Sequence, residues 1–292
     1  MSQENFPMVV ERTVIHRERR IPVSGDIHVK VGDTVSPDTI VAGANVPYHI
    51  HVVEVPRSLG VHPQDAAKFI IKKVGDATKT DDIIAVRPKS FFRSESVCKA
   101  PVDGIVREIR RGKVIIQEFR QLEVGAYIPN SKVVEILSKE GVIVEASAAF
   151  IQGTFGVGGE TYGELKMISE SSRDILTEKN ITPDCEGKIL VGGSLVTLRA
   201  LLKAAASHVK GIIVGGIEQK ELVEFLRYEI GPLSGDEDIG MTLILTEGFG
   251  KISMNDDVFQ LLQSLSGMEA CMNGATQIRY GSIRPEIIIP LK

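Results

Sequence analysis

A chain of 292 residues, 43% hydrophobic and 25% charged, has the length for two domains of roughly 100–200 residues each and the composition of a soluble protein. A formal charge of −4 gives no basic footprint for general nucleic-acid binding, and no run of about eighteen apolar residues offers a membrane span. Cys98, Cys185 and Cys271 are widely spaced without a CxxC, which points to reduced thiols rather than a disulfide framework. MSQENFPMVVERT lacks the basic flank and apolar run of a signal peptide. The expectation is a cytoplasmic protein with an aliphatic core, since Trp is absent and aromatics reach 5%.

Residues 1–20 read as an N-terminal arm, with His16-Arg-Glu-Arg-Arg20 as a short solvated basic run. The phrase KVGDTVSPDTIVA, residues 30–42, returns as KVGDATKTDDIIA at residues 73–85. Gly32 and Gly75 supply backbone freedom for a sharp reversal, and the Asp that follows can hydrogen-bond the turn backbone. Pro22-Val-Ser-Gly25 and Pro101-Val-Asp-Gly104 bracket the two phrases. Short β-branched runs between such turns predict a compact β domain over 21–128, built from two related halves, with the repeated phrase forming two matching corners of it. Residues 43–64, with Pro47, Pro56 and Pro63, read as an insertion. His49-Ile-His51 would put two imidazoles on one strand face, but no third ligand is visible, so no metal is assigned.

APVDGIVREI, residues 100–109, resembles the start of a half-repeat in biotinyl and lipoyl carrier domains, and KVGDTVSPDTIVA resembles the turn and strand that follow it. The resemblance implies a barrel-sandwich hybrid over roughly 21–120. The order of elements departs from a carrier, because both Gly-Asp phrases precede the Ala-Pro-Val-Asp-Gly element. The modified lysine of a carrier would fall near Ser90-Phe-Phe-Arg93-Ser94, where Arg93 can be neither biotinylated nor lipoylated; Lys89 and Lys99 lack the flanking residues. What the resemblance implies is therefore a docking or structural module without a prosthetic group.

Residues 129–183 read as a β-hairpin around Gly156-Val-Gly-Gly159, followed by a polar linker over 169–183. The sharper alternative for the glycines is a backbone nest for an anion. Residues 184–292 alternate strand and helix. Lys188-Ile-Leu-Val191, Gly211-Ile-Ile-Val214 and Met241-Thr-Leu-Ile-Leu245 are strands, and each is followed by an amphipathic helical pattern. Ser194 is expected to open the first helix and Asn255 to cap the third. The fold class expected is thus α/β plus β: a barrel-sandwich hybrid β domain followed by a small parallel-sheet, Rossmann-like α/β domain.

In such a sheet the C-terminal strand ends share one edge, where ligands of open α/β sheets bind. Gly192, Gly193, Ser194, Gly215, Gly216, Glu247 and Gly248 would lie there, with Glu218 nearby. Arg279 and Arg284 in the tail could clamp a carboxylate or phosphate. The competing reading of these glycines is tight strand-to-helix turns. No G-x-G-x-x-G follows the first strand, and no cofactor is assigned. Asp236-Glu237-Asp238 is an acidic loop, read as solvated. TEGFG, NGATQIR and RPEIIIP resemble stretches of bacterial proteins, which brings no activity and no catalytic residue. The sequence reading is a non-enzymatic interaction or scaffold protein with a protein partner and no nucleic acid or membrane partner; a homo-oligomer is compatible with it. The alternative is an enzyme or sensor that binds an anionic small molecule at the glycine-lined edge.

Overall fold

The computed structural model describes residues 8–90, 94–229, 233–234, 237, 239–277 and 283–291. The chain is mostly β-sheet with few helices, a mixed α/β protein. It forms two compact units: unit 1 comprises residues 1–20, 27–42 and 124–292, and unit 2 residues 21–26 and 43–123. These bounds differ from the expected domains, because residues 27–42 and 129–183 belong with the α/β part.

In unit 1 an 11-stranded sheet of the described residues runs in the order Phe155–Val157, Thr242–Phe249, Gly211–Ile217, Ile189–Val191, Glu160–Met167, Glu269–Asn273, Glu286–Pro290, Gly141–Gln152, Ser131–Ile136 and Thr34–Val35, with Val9–Arg20 also paired to Gly141–Gln152. Four neighbours, from Thr242–Phe249 to Glu160–Met167, are mutually parallel. Gly211–Ile217 is buried at every position, as a parallel strand covered on both faces must be. Leu201, Ala204, Leu222 and Leu226 pack with Ile212 and Val214 in one core cluster. Val258, Phe259 and Leu262 pack with Ile213 and Ile244 in another. The helices that supply these residues are Leu198–Ala206, Gln219–Leu226 and Asp256–Ser264.

Several expectations are corrected here. Residues 9–20 are a strand, not an arm, antiparallel to Gly141–Gln152 over nearly its whole length. Phe155–Val157 and Glu160–Met167 form no hairpin: the first pairs with Thr242–Phe249 and the second with Ile189–Val191 and Glu269–Asn273. The linker over 169–183 contains the strand Ile175–Leu176 and buries Leu176 and Ile181 in the core. That strand pairs with Leu195–Val196, which delays the helix, so Ser194 does not open it. Thr197 is the N-cap instead, its Oγ1 accepting from the Ala200 N–H at 3.3 Å. Asn255 caps as expected, its Oδ1 accepting from the Asp257 N–H at 2.8 Å.

Unit 2 has its own core of Val53, Val55, Leu59, Ile84, Val106, Val114 and Ile116. Lys113–Gly125 lies between Ile40–Glu54 and Gly104–Arg110, and Ala77–Thr78 flanks the latter. Ile83–Arg87 and Ser96–Lys99 pair as a separate antiparallel ribbon. The stretch read as an insertion is part of this core: Pro56 occupies the first turn of the helix Val55–Leu59, whose Val55 and Leu59 are fully buried.

The repeated phrase builds the same corner twice, once in each unit rather than twice in one domain. Gly32 and Gly75 adopt φ of 98° and 93°. The Gly32 N–H donates to the Val133 carbonyl and the Gly75 N–H to the Val106 carbonyl, both at 2.8 Å. Asp33 and Asp76 each accept from the backbone N–H three residues earlier, at 2.8 Å. Thr34–Val35 then pairs with Ser131 and Lys132, and Ala77–Thr78 with Gly104 and Ile105.

Candidate functional site

The glycine-lined strand edge of unit 1 is occupied by the chain itself. A side chain on Gly193 would start 2.6 Å from the carbonyl oxygens of Ser171 and Asp174, one on Gly215 2.2 Å from that of Ile252, and one on Gly216 2.2 Å from that of Gly250. Gly192 faces Leu176 at 2.9 Å. These glycines permit backbone to lie on backbone, and the loops 169–174 and 248–254 take the place a ligand would need. Ser194 is buried and donates from Oγ to the Arg173 carbonyl at 2.8 Å, while its N–H donates to the Asp174 carbonyl at 2.7 Å. Glu247 accepts from the Asn255 N–H at 2.9 Å, upstream of the Asp256–Ser264 helix. Glu218 is exposed before the helix Gln219–Leu226.

The nest at Gly156–Gly159 likewise meets the chain's own anion, since the Gly158 N–H donates to Glu237 Oε2 at 3.1 Å. Asp236 and Asp238 of that acidic loop lie outside the described residues, as do Arg279 and Arg93. Two of the expected site residues do share a cavity. Gly248 and Arg284 line a space of 240 Å³ together with Thr154, Phe155, Phe249 and Thr276.

A cluster that the sequence reading missed lies on the same sheet. Arg17, read as part of a solvated run, forms a two-pronged ion pair with Glu286, its Nε donating at 3.0 Å, and its guanidinium stands 5.8 Å from the centre of the Phe150 ring. Arg19 pairs with both oxygens of Glu160 at 2.6 Å and lies 5.2 Å over Tyr127. Tyr127 donates to Glu286 at 3.4 Å. Burial, then the neighbouring Cys271 and Glu286, pushes the Tyr127 hydroxyl well above its ordinary pKa. Burial, then Glu286, does the same to the Cys271 thiol. A thiol held protonated is a poor nucleophile, and the ion pairs of Arg17 and Arg19 pin the first strand to the sheet. Its signal was present in the alternation of Arg17 and Arg19 along a strand, but the partners are far away in sequence.

In unit 2, a cavity of 470 Å³ opens beside the strand Ile83–Arg87 and is lined by Val61, His62, Lys68, Phe69, Arg87 and Pro88, with Ser90 and Asp65 on its wall. Lys68 is already paired with Asp65 at 2.7 Å. Arg87 Nη2 donates to the Ser94 carbonyl at a long 3.3 Å. Its Nε is buried and has no acceptor among the described residues. On the nearby sheet His51 pairs with Glu118 at 2.7 Å and the His49 ring lies 3.8 Å from that of Tyr48, so the two histidines serve in ordinary polar and ring contacts. No group of three or more His, Cys, Asp or Glu that could hold a metal occurs among the described residues, and no described helix is long and apolar enough to cross a membrane. No protein-family model, curated protein or solved structure matches this chain at a significant level.

Proposed function

We propose that the protein is a non-enzymatic interaction protein in which unit 2 docks a protein partner at the open cavity beside Arg87. The observation that carries this reading is the open 470 Å³ cavity of unit 2, whose wall joins the basic side chains of Lys68 and Arg87 to the apolar Val61, Phe69 and Pro88. Apolar exposure elsewhere in unit 2 adds to this reading: Tyr48, Ile50 and Val52 alternate along Ile40–Glu54 at 48%, 55% and 52% exposed. On this reading unit 2 uses a docking surface where a carrier would hold its modified lysine. The three buried free thiols fit a cytoplasmic setting.

The test is affinity capture from the source cells with the wild type, with Ser90→Arg and with Leu202→Arg, the last an exposed change in unit 1. A stoichiometric partner held by the wild type and by Leu202→Arg but lost by Ser90→Arg is the expected result. Equal capture by all three contradicts it. A second reading, a small anion bound in unit 1, rests on the 240 Å³ cavity that joins Gly248 and Arg284, and Arg284→Gln is the variant that probes it.

A further inference from the structure

We infer that the open edge of the strand Ile40–Glu54 in unit 2 pairs with the same edge of a second copy of this chain, antiparallel about a two-fold axis at Ile50. The inference does not rest on the cavity beside Arg87 and adds a second interaction surface. This strand of 15 residues has Lys113–Gly125 on one side and, among the described residues, the two-residue strand Asp26–Ile27 on the other. That short pairing is confined to its start: the His28 N–H donates to the Val41 carbonyl at 3.0 Å, and Gly25 lies against Gly43 and Ala44. Beyond Ala44 no described strand lies on that side.

The free stretch is unguarded. Residues 45–53, Asn-Val-Pro-Tyr-His-Ile-His-Val-Val, carry no Lys, Arg, Asp or Glu, the charges with which sheets keep their edges from pairing. Its one guard is Pro47, a residue that sheets accept on edge strands. Tyr48, Ile50 and Val52 are about half exposed. Arg120 stands 4.9 Å over the Tyr48 ring and Glu118 holds His51 at 2.7 Å, so the neighbouring strand keeps the row in place.

What fits this edge is the stretch itself. Antiparallel pairing about Ile50 sets Tyr48 opposite the copy's Val52, His49 opposite its His51, and Ile50 opposite its Ile50. Each pair from 48 to 52 then matches apolar with apolar or imidazole with imidazole, and no formal charge meets its like. A two-fold interface uses one patch on both copies, which a nearly palindromic row satisfies, while main-chain bonds along the added strand supply affinity.

The experiment is sedimentation velocity of the full chain at loading concentrations up to about 100 µM. The samples are the wild type, Ile50→Lys, Ile50→Glu, and those two variants mixed. A monomer–dimer equilibrium is expected for the wild type, weaker by about tenfold or more in either variant, because position 50 then faces its own charge. The equimolar mixture should regain the dimer, with lysine opposite glutamate. Leu202→Lys, an exposed change in unit 1, should leave it unaltered. Backbone amide spectra confirm that each variant is folded; Ile50→Thr, β-branched and uncharged, replaces a charged variant that is not, and should weaken the dimer by a smaller factor. A monomeric wild type, a dimer indifferent to position 50, or a mixture that stays monomeric overturns the inference. A monomeric wild type that binds a synthetic peptide of residues 45–54 also overturns it, and assigns the edge to an extended segment of another protein.

Discussion

The glycine-lined edge of unit 1 and the cavity of unit 2 are opposite solutions to the end of a β layer. At the first, three strands end in glycines, and the chain lays its own loops over them until backbone donors and acceptors answer one another: Gly215 N–H to the Gly193 carbonyl at 2.8 Å, Ser194 N–H to the Asp174 carbonyl at 2.7 Å. At the second, Arg87 joins Val61, Phe69 and Pro88 in the wall of a 470 Å³ cavity that no part of the described chain fills. Glycine at a strand end therefore reports how closely something approaches, not what that something is.

Substitution separates the two regions most sharply. Gly215→Val would drive a side chain into the Ile252 carbonyl, 2.2 Å from its first carbon, and is expected to cost about 3 kcal/mol or more in urea unfolding. A near-neutral result would show that the edge is looser than its packing and would reopen it as a ligand site. The corner glycines provide the contrasting case. Gly32 and Gly75 have nothing within 4 Å of an added carbon and positive φ, so Gly32→Ala and Gly75→Ala should each cost about 1 kcal/mol through backbone conformation alone, equally in the two units. Unequal costs would break the equivalence of the two corners.

Acid gives a smaller effect, and of the two repeated corners it acts on the one in unit 2. Lys68, by its hydrogen bond and then its charge, holds the Asp65 carboxyl below its ordinary value of 3.8. The Lys79 N–H, then Lys72, does the same for Asp82. A carboxylate depressed on folding contributes stability that is present above its unfolded value and is lost as pH falls through the lower folded one. At the corner position equivalent to Asp82, unit 1 has Thr39, whose Oγ1 accepts from Ser36 N–H at 3.0 Å and does not titrate. Protection of the Lys79 amide against exchange should therefore fall as pH drops below the ordinary value of 3.8 and change less at Ser36. An equal fall at both would remove the distinction.

How much of this was legible in the sequence depended on the range of the interaction. The amphipathic spacing of Leu198, Leu201 and Leu202, the cap at Asn255 and the Gly-Asp turns are local, and each was readable from a few residues. Pairing of Val9–Arg20 with Gly141–Gln152 is not local, and the charges of Arg17, Glu18, Arg19 and Arg20 hid the strand. The repeated phrase specified the corner but not its partner strand. That partner is Ser131–Ile136 in one unit and Gly104–Arg110 in the other, and only the second carries the recognisable Ala-Pro-Val-Asp-Gly. At the α/β edge a glycine sequence looks the same whether loop or ligand lies on it. Arg87 carried no signal at all, because a missing acceptor is a property of the folded surroundings.

The account stands most directly on Arg87 being held for a partner rather than for the fold, and the urea unfolding of Arg87→Met tests this. The methionine keeps much of the aliphatic stem and removes the guanidinium, whose Nε has no acceptor among the described residues. The expected result is a stability within about 0.5 kcal/mol of the wild type, or above it. A loss of about 3 kcal/mol or more, the cost of breaking a satisfied buried charge, would show that Arg87 is a structural residue and would contradict the account.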